Sequence, residues 1–156
     1  MTDAKTGTFL VTAGDDGTAV LRDVADGQVH TLAENPGFEA GEAVEATVEP
    51  EPPLEVAWRV VDVTERWVIS IEESAESPTT LEHDMAADQD VGELTTRDRA
   101  GTGEMHVLTV SEEGTEAAVA DVLEDEAGLR SRAARLGVGR VVVRSAPSVV
   151  SVRYLP

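Results

Sequence analysis

Apolar and polar residues alternate with strand and helix periods along most of this chain. Phe9-Leu10-Val11-Thr12 reads as a strand, and Gly14-Asp15-Asp16-Gly17 as a turn, because Asp-Gly readily takes positive φ. Thr18 to Val24 predicts a second strand, Asp26-Gly27 a turn, and the alternation from Gln28 to Leu32 a third strand. Asn35-Pro36-Gly37 breaks the chain. Val44, Ala46 and Val48 then alternate with Glu45, Thr47 and Glu49, the period of a strand with one wet face. Pro50, Pro52 and Pro53 end it, and Val56, Trp58 and Val60 alternate with Ala57, Arg59 and Val61 in a fifth strand. Short strands at this spacing predict a small, OB-like β-barrel over residues 1–65.

The second half mixes periods. Trp67-Val68-Ile69-Ser70-Ile71 either extends the fifth strand or opens a new unit, and residues 72–79 read as a polar linker. Thr80 is the expected N-cap of a helix ending near Val91-Gly92, with His83 where a capping box would carry Glu or Gln. Leu81 and Met85 share a face of that helix. Glu93–Arg97 and Met105–Val110 predict a hairpin around Ala100-Gly101-Thr102-Gly103. Ser111 is the expected N-cap of the clearest helix, with Glu112, Glu113 and Glu116 near the positive end of its dipole. Ala118, Val119, Val122 and Leu123 form its apolar stripe. Gly128 kinks or splits it, Leu129, Ala133 and Leu136 continue it, and Gly137 stops it. Arg140–Arg144 and Val149–Tyr154 close as a hairpin around Ala146-Pro147-Ser148.

The order over residues 66–156 is thus β-α-β-β-α-β-β, compatible with a ferredoxin-like sheet plus one extra strand. The predicted fold class is α+β in two halves, 1–65 and 66–156. The valine-rich stretch 56–71 crosses the boundary without a clean linker. The closing strand, Val149 to Tyr154, is expected at a sheet edge, where it could pair across a two-fold axis.

Charge adds a habitat to this picture. Asp plus Glu number 31 against 12 Lys plus Arg, for a formal net charge of −19. Lys5 is the single lysine, and no acidic residue follows Glu126, where six arginines fall. Such a surface repels itself at ordinary salt. In molar salt the Debye length falls to about 3 Å and the repulsion is screened. The composition therefore reads as that of a soluble, cytoplasmic protein from a salt-accumulating microbe. The hydrophobic fraction, 41%, supports a packed core and argues against an acidic disordered chain. No apolar run approaches the roughly 18 to 20 residues of a membrane span. The start, Met1-Thr2-Asp3-Ala4-Lys5, lacks the order of a signal peptide. With no cysteine there is no disulfide, thiol nucleophile or zinc knuckle.

Two resemblances bear on this sequence. The stretch Pro36-Gly37-Phe38-Glu39-Ala40-Gly41-Glu42 with the alternating strand to Val48 resembles the OB-related TRAM domains. That likeness covers about a dozen residues and implies RNA binding on a small barrel. The start departs from it, with no early Gly-rich strand. The whole chain also resembles a family of uncharacterised haloarchaeal proteins. The carriers are the opening residues Lys5 to Thr12, the central Arg99-Ala100-Gly101-Thr102-Gly103-Glu104 with His106 to Val110, and the closing residues Val149 to Pro156. This second likeness implies life in high salt and no known activity.

Candidate chemistry is sparse. Arg130, Arg132, Arg135, Arg140 and Arg144 could meet phosphates in bidentate geometry. The alternative is that three of them serve a helix C-terminus and pair with Glu116, Asp121, Glu124 and Asp125 of the same chain, while the others lie on strand faces. Phe38, in a turn between Gly37 and Gly41, could stack on a base, worth about 1 to 3 kcal/mol if exposed. The alternative is that it plugs the end of the barrel. His30, His83 and His106 lack metal-ligand spacing, and Asp84 to Asp90 lacks the glycine and final Glu of a calcium loop. No nucleophile elbow or phosphate cradle is present. The expectation is a non-enzymatic binding module, without cofactor or metal, whose partner is RNA or a ribonucleoprotein. The alternative partner is another protein, through an adaptor or homodimer surface.

Overall fold

A computed structural model of the chain describes residues 3–156, so the part of the signal-peptide expectation that rests on Met1 and Thr2 lies outside the described residues. Its contacts divide the chain into two compact units. The first runs to Ile69 and takes in Arg130–Arg135. The second comprises Ser70–Leu129 and Leu136–Pro156.

The first unit holds β1 (Lys5–Gly14), β2 (Ala19–Asp23), β3 (Val29–Leu32), β4 (Glu42–Pro50) and β5 (Trp58–Val68). They close on themselves as a small barrel in the order β1-β2-β3-β5-β4. β1 makes closure possible because it is long enough for two neighbours. Lys5–Leu10 pairs with β4, Phe9–Gly14 pairs with β2, and the register shifts between Val11 and Ala13. Such a bulge bends a strand and raises its twist. β3 joins β5 in parallel through Leu32 and Trp58. Inside lie Phe9, Val11, Leu21, Leu32, Val44 and Val48, with Trp58 and Val60 packed against them. The fifth strand begins two residues later than its alternation predicts. Val56 lies in the β4–β5 loop, because the chain turns at Pro52 and Pro53 and does not re-enter the ladder until Trp58.

The second unit holds β6 (Ser70–Glu73), α1 (Thr80–Ala87), β7 (Leu94–Asp98), β8 (Glu104–Thr109), α2 (Thr115–Glu124), β9 (Arg140–Ala146) and β10 (Val149–Leu155). α3 (Glu126–Leu136) begins in this unit. The stretch 67–71 thus does both things the sequence allowed: β5 runs to Val68, and β6 starts after Ile69.

The strand order is β6-β9-β10-β8-β7, with β6 parallel to β9 and the other pairs antiparallel. β10 is therefore an interior strand and not the sheet edge that its place in the sequence predicts. Pro147 and Ser148, the latter at φ 73°, fold β10 back on β9, and Val149 to Tyr154 pair with β8 on the other side. Its residues are buried on both faces, which explains the unbroken apolar character of Val149-Val150 and Val141-Val142-Val143. The extra strand sits inside the sheet and displaces β6 to one edge. The other edge is β7, whose residues are all exposed.

Two helix starts differ from expectation. Thr79, not Thr80, caps α1, and the box is complete. The Thr79 hydroxyl accepts the Glu82 amide while the Glu82 carboxylate accepts the Thr79 amide at 2.8 Å. The one-residue slip turns Glu82 and Ala86 inward and leaves Leu81 exposed, with Met85 only partly buried. α1 ends at Ala87, short of Val91. The Ser111 hydroxyl instead holds a turn through the Gly114 amide at 3.1 Å, and α2 begins at Thr115 without a side-chain cap. The long helix is split. Asp125 ends α2 and its Oδ1 accepts the Gly128 amide at 3.2 Å, opening α3. A Cβ at position 128 would meet that carboxylate, which would have to turn aside.

Candidate functional site

Phe38 is held inside the barrel. The Asn35 amide nitrogen donates to the carbonyls of Asp15 and Phe38 at 2.7 and 2.9 Å, and its oxygen accepts the Gly37 and Phe38 amides at 3.0 and 2.7 Å. Gly37, at φ 108°, completes the turn. The ring is left 3% exposed in the core, with the Arg66 guanidinium 5.2 Å from its centroid. Arg66 is itself tied to Glu42 and donates to the Gly37 carbonyl at 3.1 Å. A base cannot reach this ring. It is the plug of the barrel, not an exposed stacking residue, because Asn35 turns the loop inward.

Of the five arginines, Arg130, Arg132 and Arg135 belong to the first unit and Arg140 and Arg144 to the second. Arg140 meets Glu72 and Arg144 meets Glu76, each at 2.7 Å, both within the second unit. Arg130 is half-buried in the first unit, where its Nε donates to the Ile69 carbonyl at 3.4 Å and its guanidinium lies against Gly41. Arg132 is also half-buried, and Arg135 is exposed near the end of α3. The carboxylates that meet Arg140 and Arg144, both on strand β9, come from β6 and the residues just after it. The parallel pairing of β6 with β9 brings that segment alongside.

His30 is a buried group with an unusual environment. It is fully buried between the edges of Phe9, at 5.4 Å, and Trp58, at 4.4 Å. Neither ring nitrogen has a hydrogen-bond partner among the described residues. Burial pushes its pKa down, the Lys5 charge adds to this, and Asp23 and Asp26 oppose it. The folded barrel thus holds a neutral imidazole that the unfolded chain protonates more readily. The stability it permits is full above its ordinary value of 6.5 and falls as pH drops below that toward the folded value. His30→Leu is expected to remove this loss. The wild type should unfold more easily at pH 5 than at pH 8 by chemical denaturation, and the variant should show a smaller difference. An unchanged pH slope in His30→Leu would contradict this assignment.

The outer surface of the barrel is more informative. Leu54 and Val56, in the β4–β5 loop, are 78% and 81% exposed. Val29 is also exposed, and the parallel match of Leu32 with Trp58 puts it on the same side of that pair as Val56. Asp15 and Asp16 occupy the β1–β2 loop. The Asp15 carboxyl lies below its ordinary value because it accepts the Gly17 and Thr18 amides. A cleft of about 390 Å³ is lined by Glu34, Asn35, Glu51 and Arg59 among others, from the β3–β4 and β4–β5 loops and β5, and Arg59 is paired with Glu49. Sequence reasoning missed Leu54 and Val56. The available signal was two large apolar residues in a proline-rich segment that no ladder claims.

A second feature lies wholly in the second unit. A groove of about 350 Å³ runs between the α2–α3 junction and strands β7, β8 and β10. Val150, Val152 and Tyr154 form its buried floor, and Leu94, Leu108 and Val122 its walls. His106 borders it, with Nε2 at 2.8 Å from the buried Glu104 carboxylate and its ring tilted on Tyr154 at 5.0 Å. Asp121 and Asp125 stand one helical turn apart on the other side. The sequence placed His106 on a strand but gave no sign of the groove, because its lining is drawn from segments spread between Leu94 and Tyr154. No cluster of metal-ligating groups is found among the described residues, and no described helix is long and apolar enough to cross a membrane.

These features define the class: a mixed α+β protein with two sheets, one closed and one open. The chain belongs to a family of unknown function, DUF5812, whose model matches residues 5–145. No curated protein and no solved structure matches it.

Proposed function

We propose that this chain is a non-enzymatic binding module of a halophilic archaeon that takes another protein through the β4–β5 loop of its barrel. The strand order β1-β2-β3-β5-β4, with β3 parallel to β5, supports an OB-type assignment. OB barrels bind oligonucleotides and oligosaccharides through the β2–β3 face and the β1–β2 and β4–β5 loops, which makes these loops the place to look for a ligand of any kind. The carrying observation is the exposure of Leu54 and Val56 at that place. Apolar groups flanked in the same loop by Glu51 and Glu55 suit a protein surface and repel a phosphate chain. In a brine-filled cytoplasm the carboxylates are screened, while apolar contact does not depend on their field.

The test is capture from a halophile lysate in molar KCl, with Leu54→Asp/Val56→Asp as the informative variant and Val68→Asp as an exposed apolar control. Protein partners retained by wild type and the control, and lost from the double variant, support the loop as the interface. Equal recovery on all three overturns it. RNA is the second reading, favoured by the OB strand order alone. RNA recovered by crosslinking, and unaffected by the loop variant, would put that reading first.

A further inference from the structure

We propose that the groove between the α2–α3 junction and β7, β8 and β10 binds a small organic cation: an apolar body of about ten to fifteen heavy atoms ending in an ammonium group. Size and lining argue for a compact apolar body. The cavity, about 350 Å³, lies at the low end of ligand sites, and its floor and walls are aliphatic apart from the Tyr154 and His106 rings. α2 packs on β9 and β10, and α1 meets β8 from the other face through Met105 and Val107, so the groove face toward β7 and β8 is left without a helix.

Charge selects the head group. The charged residues lining the groove are Asp121 and Asp125; neither lysine nor arginine is among them. The carboxylate behind His106 is that of Glu104. Asp125 spends one oxygen on the Gly128 amide, where it opens α3. Asp121 lies one turn earlier on the same side of α2, and no hydrogen bond or ion pair ties it to another described residue. A ligand lying on Val150 and Val152 with its ammonium toward Asp121 gains apolar burial and a charge-assisted contact together. An anion of the same shape would meet only carboxylates. The inference is independent of the barrel loop, since both the groove and its lining belong to the second unit.

The probes are 2-phenylethylammonium, neutral 2-phenylethanol and anionic 3-phenylpropanoate, titrated into the intact chain in KCl just sufficient to hold its fold. Methyl NMR signals of Leu94, Leu108, Val122, Leu129, Val150 and Val152 report the groove. The cation is expected to shift these methyls saturably, about fivefold more tightly than the alcohol, as one partly exposed ion pair allows. The anion should bind more weakly than either. Asp121→Asn should bring the cation down to the level of the alcohol and leave the alcohol unchanged, while the spectrum away from the groove stays as in wild type. Equal affinity for cation and anion, shifts confined to other methyls, or an Asp121→Asn protein that keeps the preference would each overturn the proposal.

Discussion

Glu82→Ala is expected to destabilise the second unit by about 4 kcal/mol, within the range for breaking a buried ion pair. Glu82 is fully buried, yet it is charged. Burial alone would raise its pKa. The amide and hydroxyl of Thr79 and the Arg153 guanidinium outweigh that and hold the carboxyl below its ordinary value of 4.5. The Ser151 hydroxyl faces the same group without a hydrogen bond of normal geometry. Removing the carboxylate frays the start of α1 and leaves Arg153, itself mostly buried, without its partner on the sheet. Glu82→Gln keeps a capping box but not the charge, and should cost about half as much.

The pH dependence follows from the lowered pKa. The contribution of this carboxylate is present above 4.5 and is lost as pH falls through the folded value beneath it. Urea unfolding of wild type, Glu82→Gln, Arg153→Met and the double variant closes a mutant cycle. Additive losses would show that Glu82 and Arg153 act separately and would sink the argument.

Asn35→Ala should cost about 3 kcal/mol, because four hydrogen bonds at roughly 0.5 to 1.5 kcal/mol net each converge on one side chain. The loop between β3 and β4 would lose its inward turn, and the Phe38 ring would leave the barrel. Asn35→Asp retains the acceptor but replaces the donor, and should lose about half. Iodide quenching of Trp58, which packs against the same core, measures the opening directly. An Ala variant with wild-type stability and unchanged quenching would show that the plug holds itself.

Much of this architecture could be seen in one-dimensional spacing, and the failures share a physical cause. Strands β1 to β4, the split helix and the final hairpin announce themselves through local alternation, turn glycines and proline. The position of β10 does not, because alternation reports which faces are wet but not which strand lies beside which. Val149-Val150 and Val141-Val142-Val143 lack alternation for that very reason: both faces are covered. The capping box on α1 was misplaced by one residue, since Thr79 and Thr80 are equivalent by type and only Glu82 distinguishes them.

The candidate chemistry was less visible. Arginines after Glu126 stand out in the sequence because nothing acidic follows them. In space, the chain folds Glu72 and Glu76 against Arg140 and Arg144. Phe38 stood out as an aromatic in a turn, yet the side chain deciding its fate is Asn35, three residues earlier. The groove draws on segments from Leu94 to Tyr154 and leaves no local signature.

The insertion of β10 between β9 and β8 has a consequence for the order of assembly. During vectorial synthesis β8 leaves the ribosome well before β9, and the two share no ladder. The nascent second unit can hold the β7–β8 hairpin, and later the β6–β9 pair, only as separate fragments. β10, which follows β9 in the chain, is the zipper that welds them, with seven backbone partners on one flank and six on the other. Until β10 docks, both flanks offer bare backbone to a chaperone or to a neighbouring nascent chain.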